Sequence, residues 1–262
     1  MSAWQGFVLG MVQGLTEFLP VSSSGHLVAV RSLFGITGSR LAFDVMVHGA
    51  TLLAIVVYFR RRLAGFIREG RLDYLGKLLV ATIPIGAVGL ALGEPVEEAF
   101  ASPWLVAALL AATGTMLLSL YLKREDEGER GRLEPGWGVA IAIGLVQAVA
   151  ILPGISRSGA TIVAGLWLGL APAAAAEFSF LLGIPAIAGA VGVELSAMHS
   201  AASTDAGAGM LLGGLAAFAC GMAAIAIVFR VLARRSFRRF GFYCWAVAIA
   251  FGTWLALGGG SG

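Results

Sequence analysis

Six apolar runs are each long enough to cross a bilayer, roughly residues 41–60, 74–93, 103–122, 174–195, 207–229 and 240–258. A helix rising 1.5 Å per residue needs about 20 residues for that distance. Two further regions, 2–36 and 137–171, are as apolar but are broken in their middles by Pro, Ser and Gly. Each is cut into arms of about 14 residues, too short to span. Such arms joined by polar turns predict re-entrant helical hairpins, whose irregular backbone is tolerated at membrane depth only inside protein or beside water. Two ordinary spans joined by a surface loop are the weaker fit. The expected fold is an all-α polytopic membrane protein of six transmembrane helices plus two re-entrant hairpins, with 1–262 as one membrane domain.

Composition agrees. Of the 262 residues 58% are hydrophobic and 13% charged, with a mean hydropathy of +0.89, more apolar surface than a soluble domain can hide. The two cysteines, Cys220 and Cys244, lie in apolar segments, so they read as small core residues rather than a disulfide framework. No basic segment precedes the first apolar run, and Gln13 and Glu17 interrupt it, so no cleaved signal peptide is expected.

The net charge of +3 is modest and localised, which points to a membrane face and not to nucleic acid. Arg60, Arg61, Arg62, Arg68, Arg71 and Lys77 flank the first connection between spans; Lys123, Arg124, Arg130 and Arg132 lie in the central loop; Arg230, Arg234, Arg235, Arg238 and Arg239 crowd the last. The intervening connections carry Glu94, Glu97 and Glu98, or His199 and Asp205, with no Lys or Arg. Fifteen of the 18 basic residues thus fall on alternate connections, Arg31, Arg40 and Arg157 being the others. By the positive-inside rule those connections are cytoplasmic and both termini lie on the outer face.

The two broken regions share a plan. Gln13 to His26 reads QGLTEFLPVSSSGH and Gln147 to Thr161 reads QAVAILPGISRSGAT: a Gln-bearing apolar helix, a Pro, a Ser-rich turn with one Gly, then a second apolar helix. A hairpin returns to its own side and three spans do not, so the second half is inverted relative to the first. The halves 1–123 and 137–262, joined by a cytoplasmic loop 124–136, form an inverted-topology repeat. One hairpin enters from outside and the other from the cytoplasm, so their tips can meet near the midplane and form one site for a diphosphate.

Unforced charges in a membrane cost about 2.5–3.5 kcal/mol on insertion scales and call for a reason. Glu17 lies four residues after Gln13, on the same helical face. Arg157, in the opposite tip, is open to two partners: Glu17, which would make a structural pair, or a bound phosphate, which suits its planar fork. Ser22, Ser23, Ser24 with Gly25, and Ser156, Ser158, Gly159 with Thr161 sit where a helix begins. There they can cap the helix, and the free N–H groups favour an anion. His26 beside Ser23 and Glu17 places a hydroxyl, an imidazole and a carboxylate in one turn, as hydroxyl activation requires. Of the other polar residues in the spans, His48, Asp44, Glu177 and Glu194, Asp44 and Glu177 fall at matching places in the halves and suggest hairpin-bracing or helix-end roles. His199 reads as a surface residue.

EFLPVSSSGH and PGISRSGAT, with EFSF at 177–180, closely resemble the bacterial undecaprenyl-diphosphate phosphatases of the bacitracin-resistance family, and the likeness runs over essentially the whole chain. The resemblance implies hydrolysis of undecaprenyl diphosphate to the monophosphate and phosphate on the outer side of the bacterial plasma membrane, recycling a lipid carrier for cell-wall synthesis. It implies catalytic roles for Glu17, Ser23, His26 and Arg157, and diphosphate binding by Ser22, Ser24, Gly25, Ser156, Ser158, Gly159 and Thr161. It also implies a divalent cation, Mg²⁺ or Ca²⁺, on Glu17 and Gln13. Gln13 stands where many members have a second Glu, which weakens a two-carboxylate metal scheme; Ser24 replaces a common Thr and keeps the hydroxyl. In the expected mechanism Ser23, or a water it positions, attacks, and His26 relays the proton, oriented by Glu17.

The rival reading is a lipid-phosphate transporter without hydrolysis, because broken helices in inverted repeats are a transport architecture. The acid-phosphatase signature of some lipid phosphatases is excluded, since no His follows Arg157 until His199. Small-residue runs at Gly207-Ala-Gly and Gly213-Gly214 allow close helix packing within a protomer or in a homodimer.

Overall fold

A computed structural model describes residues 1–36, 41–123, 131–198 and 207–258. Arg40, most of the central loop, His199 and Asp205 lie outside the described residues. Within them the chain forms α1 (Ala3–Phe18), α2 (Ser23–Leu33), α3 (Leu41–Tyr58), α4 (Arg60–Arg68), α5 (Leu72–Ala91), α6 (Gly93–Phe100) and α7 (Pro103–Leu118, continued by a 3₁₀ turn to Tyr121). The second half forms α8 (Trp137–Val149), α9 (Arg157–Trp167), α10 (Pro172–Met198), α11 (Ala208–Ala233) and α12 (Phe240–Ala256). Helix starts follow local chemistry. Ser2 and Gln5 form a capping box on α1, and Ser102 caps α7 with Pro103 at its first position, where a missing N–H costs nothing. α1 stops at Leu19, the residue before Pro20, as the proline ring requires.

The fold is that of an α-helical, multi-pass membrane protein. Among the described residues five helices are long and apolar enough to cross a membrane: Leu41–Tyr58, Leu72–Ala91, Pro103–Tyr121, Pro172–Ser196 and Ala208–Ala233. The sixth expected run, 240–258, is shorter than its composition suggested. α12 is helical for 17 residues, about 25 Å, and ends just before Gly258, whose φ of +89° takes the chain out of the helix. α4 and α6, both outside the predicted spans, are short helices with one buried residue each, Phe66 and Ala99. Phe66 stacks on Tyr74, and Arg62 lies over Phe66 while its Nε donates to Glu177 of α10 at 2.9 Å.

In lipid, apolar burial does not drive helices together, so they associate by close packing of small residues. α1 lies along α11 and α8 along α5, while α7 pairs with α12 and α3 with α10. Gly6, Gly10 and Gly14 form one stripe on α1 against Gly209, Gly213 and Ala217 of α11. The small residues of α11 thus pack within the protomer. A Cβ at Gly10 would lie 2.1 Å from the Gly213 carbonyl oxygen, and one at Gly144 of α8 would lie 2.4 Å from that of Ala81 on α5. Gly10→Ala must therefore push α1 off α11, an overpacking cost of about 2–3 kcal/mol. The expected result is a melting temperature lower by about 5–10 °C in detergent; an unchanged melting temperature would contradict this packing. Phe18 at the end of α1 meets Phe180 of α10 edge to face at 5.7 Å, and Phe180 in turn meets Phe229 of α11. The C-terminal end of α1 is thereby fixed against the two long helices.

Candidate active site

The turn after α1 and the turn before α9 meet. Each ends in a serine that caps the next helix: Ser22 Oγ accepts from Gly25 N at 3.3 Å, and Ser156 Oγ accepts from Gly159 N at 3.1 Å. Ser22 adopts φ 67°, a strained conformation for a residue with a Cβ, and Gly154 adopts φ 99°. Hydrogen bonds cross between the turns. Gly154 N donates to Ser24 Oγ at 3.3 Å and Ser158 Oγ donates to Leu19 O at 3.3 Å. Thr113 of α7 closes the second turn, donating to Gly154 O at 2.8 Å and accepting from Ser156 N at 3.1 Å. The hydroxyls of Ser22, Ser24, Ser156 and Ser158 are thus engaged in shaping the turns. The first amides of α2 and α9, those of Ser23, Ser24, Arg157 and Ser158, have no acceptor within their own helices.

Glu17 is the hub. Its Oε1 accepts from Arg157 Nη2 of the opposite turn at 2.6 Å, and its Oε2 accepts from Ser23 Oγ at 2.7 Å and from Gln13 Nε2 at 3.1 Å. Glu17 is 9% exposed and the Arg157 side chain 12%. One nitrogen of Arg157 is therefore held by Glu17. The other, Nη1, is buried without a hydrogen-bond partner, as is Gln13 Oε1. Gly183 on α10 leaves the space that Nη1 occupies. A buried ion pair adds little net stability compared with packed apolar side chains. The buried donor left over at this pair calls for a partner of its own.

His26 stands apart from this hub. Its Nδ1 lies 2.8 Å from the carbonyl oxygen of Ser22 and its Nε2 lies 2.9 Å from the Tyr243 hydroxyl of α12. The expectation that Glu17 orients His26 is corrected: Glu17 holds Ser23, and His26 folds back over the preceding turn, as helical side chains do, onto the Ser22 carbonyl. Thr161, expected in diphosphate binding, has its hydroxyl engaged within the protein. Its hydroxyl donates to Arg157 O at 2.8 Å and shares a hydrogen with Ser179 Oγ at 2.6 Å, bracing α9 against the EFSF segment of α10. Asp44 pairs with Arg31 of α2, while Glu177 holds Arg62. His48 Nδ1 and Glu194 Oε2 face each other at 3.7 Å. Tyr243 and Thr113 carried no sequence signal. A tyrosine near a basic loop reads as an interfacial anchor, and a threonine in a span reads as a small packing residue.

A family model described as bacitracin resistance protein BacA matches residues 6–250, which include every residue of both turns. The chain belongs to this family. Proteins named undecaprenyl-diphosphatase are similar along nearly the full length. That of Desulfosudis oleivorans is 44% identical over 93% of this chain and 95% of its own. That of Desulforapulum autotrophicum is 41% identical over 95% and 97%, and that of Methanobrevibacter smithii is 40% identical over 95% and 96%. Among the described residues no three His, Cys, Asp or Glu side chains gather in a metal-binding group. The two oxygen donors beside the hub, Glu17 and the unpartnered Gln13 Oε1, fit a hard cation that takes its remaining ligands from a diphosphate.

Proposed function

We propose that this protein hydrolyses undecaprenyl diphosphate to undecaprenyl phosphate and inorganic phosphate at the joined turns. The observation that carries the reading is the Glu17 carboxylate, bonded at once to a hydroxyl of its own turn and to the guanidinium of the other. Arg157 Nη1 and the first amides of α2 and α9 receive the oxygens of the terminal phosphate. Ser23 Oγ attacks the phosphorus as its proton passes to Glu17, and the bond to the bridging oxygen breaks, releasing the lipid monophosphate. Water then attacks the phosphoserine. One water proton passes to His26 and from there to solvent, Glu17 returns its proton to Ser23, and phosphate leaves. Phosphoryl transfer depends chiefly on such positioning and charge neutralisation. A divalent cation held by Glu17 and Gln13 Oε1 would neutralise charge on the phosphate oxygens.

The same proposal places the site in two re-entrant hairpins related by an inverted repeat. α1, α2, α8 and α9 have 16, 11, 13 and 11 residues, each short of a span. The first arm of each hairpin packs on the second long helix of the other half, α1 on α11 and α8 on α5, as a two-fold exchange would give. The alternation of basic connections supports a plasma-membrane protein whose site opens to the outer face.

The test is phosphate release from undecaprenyl diphosphate by purified protein, with and without EDTA. The expected result is release by the native protein that EDTA reduces at least about tenfold and added Mg²⁺ or Ca²⁺ restores. Binding of the lipid without release in the presence of metal would overturn the reading in favour of lipid transport.

A further inference from the structure

The imidazole of His26 is held at both of its ring nitrogens. A carbonyl oxygen can only accept, so Nδ1, 2.8 Å from Ser22 O, carries the ring proton. In the neutral ring Nε2 then has the lone pair, and the Tyr243 hydroxyl, 2.9 Å away, donates to it. The two rings lie parallel within 4°, with centroids 5.7 Å apart. His26 is 9% exposed and Tyr243 is 46% exposed, so the tyrosine forms the outer side of the histidine's pocket. Cys244, the next residue on α12, is buried with its thiol 3.6 Å from the Pro20 carbonyl, which fixes α12 against the first turn at this level. With Ser22 alone the ring is held at one nitrogen; the second hydrogen bond, at the opposite nitrogen, fixes its orientation.

We propose that Tyr243 is a positioning residue for the phosphatase reaction, holding His26 with Nε2 as its basic nitrogen and pointing that nitrogen out of the first turn. The inference rests on the hydrolytic reading above, in which Nε2 takes the proton of the attacking water. Water entering between the rings replaces the tyrosine hydroxyl at Nε2 and finds the lone pair already aimed. Binding of the diphosphate itself does not pass through Tyr243, since Arg157 and the helix amides receive it.

Tyr243→Phe keeps the ring and removes the hydroxyl. The expected result is a kcat lower by about tenfold with KM changed less than about twofold, and a further loss in Tyr243→Leu, which also removes the ring that walls the histidine's pocket. A KM that rises with kcat unchanged would make Tyr243 a substrate contact and overturn the proposal, as would unchanged kinetics. A second measurement does not depend on activity. In native protein labelled with ¹⁵N-histidine, the signals that vanish in His26→Asn should show Nδ1 protonated and Nε2 unprotonated, and the Nε2 signal should shift in Tyr243→Phe. A protonated Nε2, or no shift, defeats the inference. An active native enzyme with an indifferent Tyr243→Phe refutes this role alone, whereas an inactive native protein refutes the hydrolytic reading and leaves the nitrogen spectrum to judge the His26–Tyr243 contact.

Discussion

Arg157→Lys lowers the kcat for phosphate release about a thousandfold while leaving the protein folded. Arginines placed on a transferring phosphoryl group contribute roughly 10³–10⁵ in other phosphoryl-transfer enzymes. In the proposed reaction the fork has two separate tasks: Nη2 holds Glu17 at 2.6 Å, and Nη1, buried without a hydrogen-bond partner, is the donor assigned to the phosphate. A lysine ammonium is a single point of charge and cannot do both at once. It does keep a cation beside Glu17, which matters because a lone buried charge left by truncation to alanine costs about 3–5 kcal/mol and would confuse lost chemistry with lost fold. Elution as a single species and a native-like melting temperature check the fold. Near-normal turnover would show that Arg157 is only a structural partner of Glu17.

Ser23→Ala has the second large effect. The hydroxyl donates to Glu17 Oε2 at 2.7 Å, the alignment that the proposed attack and proton loss need. The expected loss is about a thousandfold or more in kcat, in line with removal of other activated nucleophiles. Lipid binding should be retained, because Arg157 and the helix amides are untouched. Retention of more than about a tenth of kcat would transfer the attack from Ser23 to water.

Much of the architecture was legible because the membrane restricts what a polar residue can be doing. Glu17 and Arg157 are the only charged side chains in residues 1–30 and 135–176, His26 stands near the first of them, and the serine–glycine turns recur at the same place after a proline. Contacts between helices were less accessible. His26 and Glu17 share one turn of sequence but face different partners, since the Ser22 carbonyl competes for the imidazole. Thr161 looks like one more hydroxyl of the second turn, yet Ser179, 18 residues away, takes it. Tyr243 is 217 residues from His26, and no local pattern distinguishes it from an interfacial aromatic. Helix length escaped for a different reason: hydropathy over 240–258 does not register the glycine that ends α12 at Ala256.

The central claim is that two turns from opposite halves of the chain make one catalytic site. A double-mutant cycle on phosphate release tests it most directly, using Glu17→Gln, Arg157→Lys and the two combined. Residues acting as one unit lose their joint contribution once, so the combined variant should be within about threefold of the worse single variant. Losses that multiply, from about 10³ each to about 10⁶ together, would show that Glu17 and Arg157 act independently and would contradict the account.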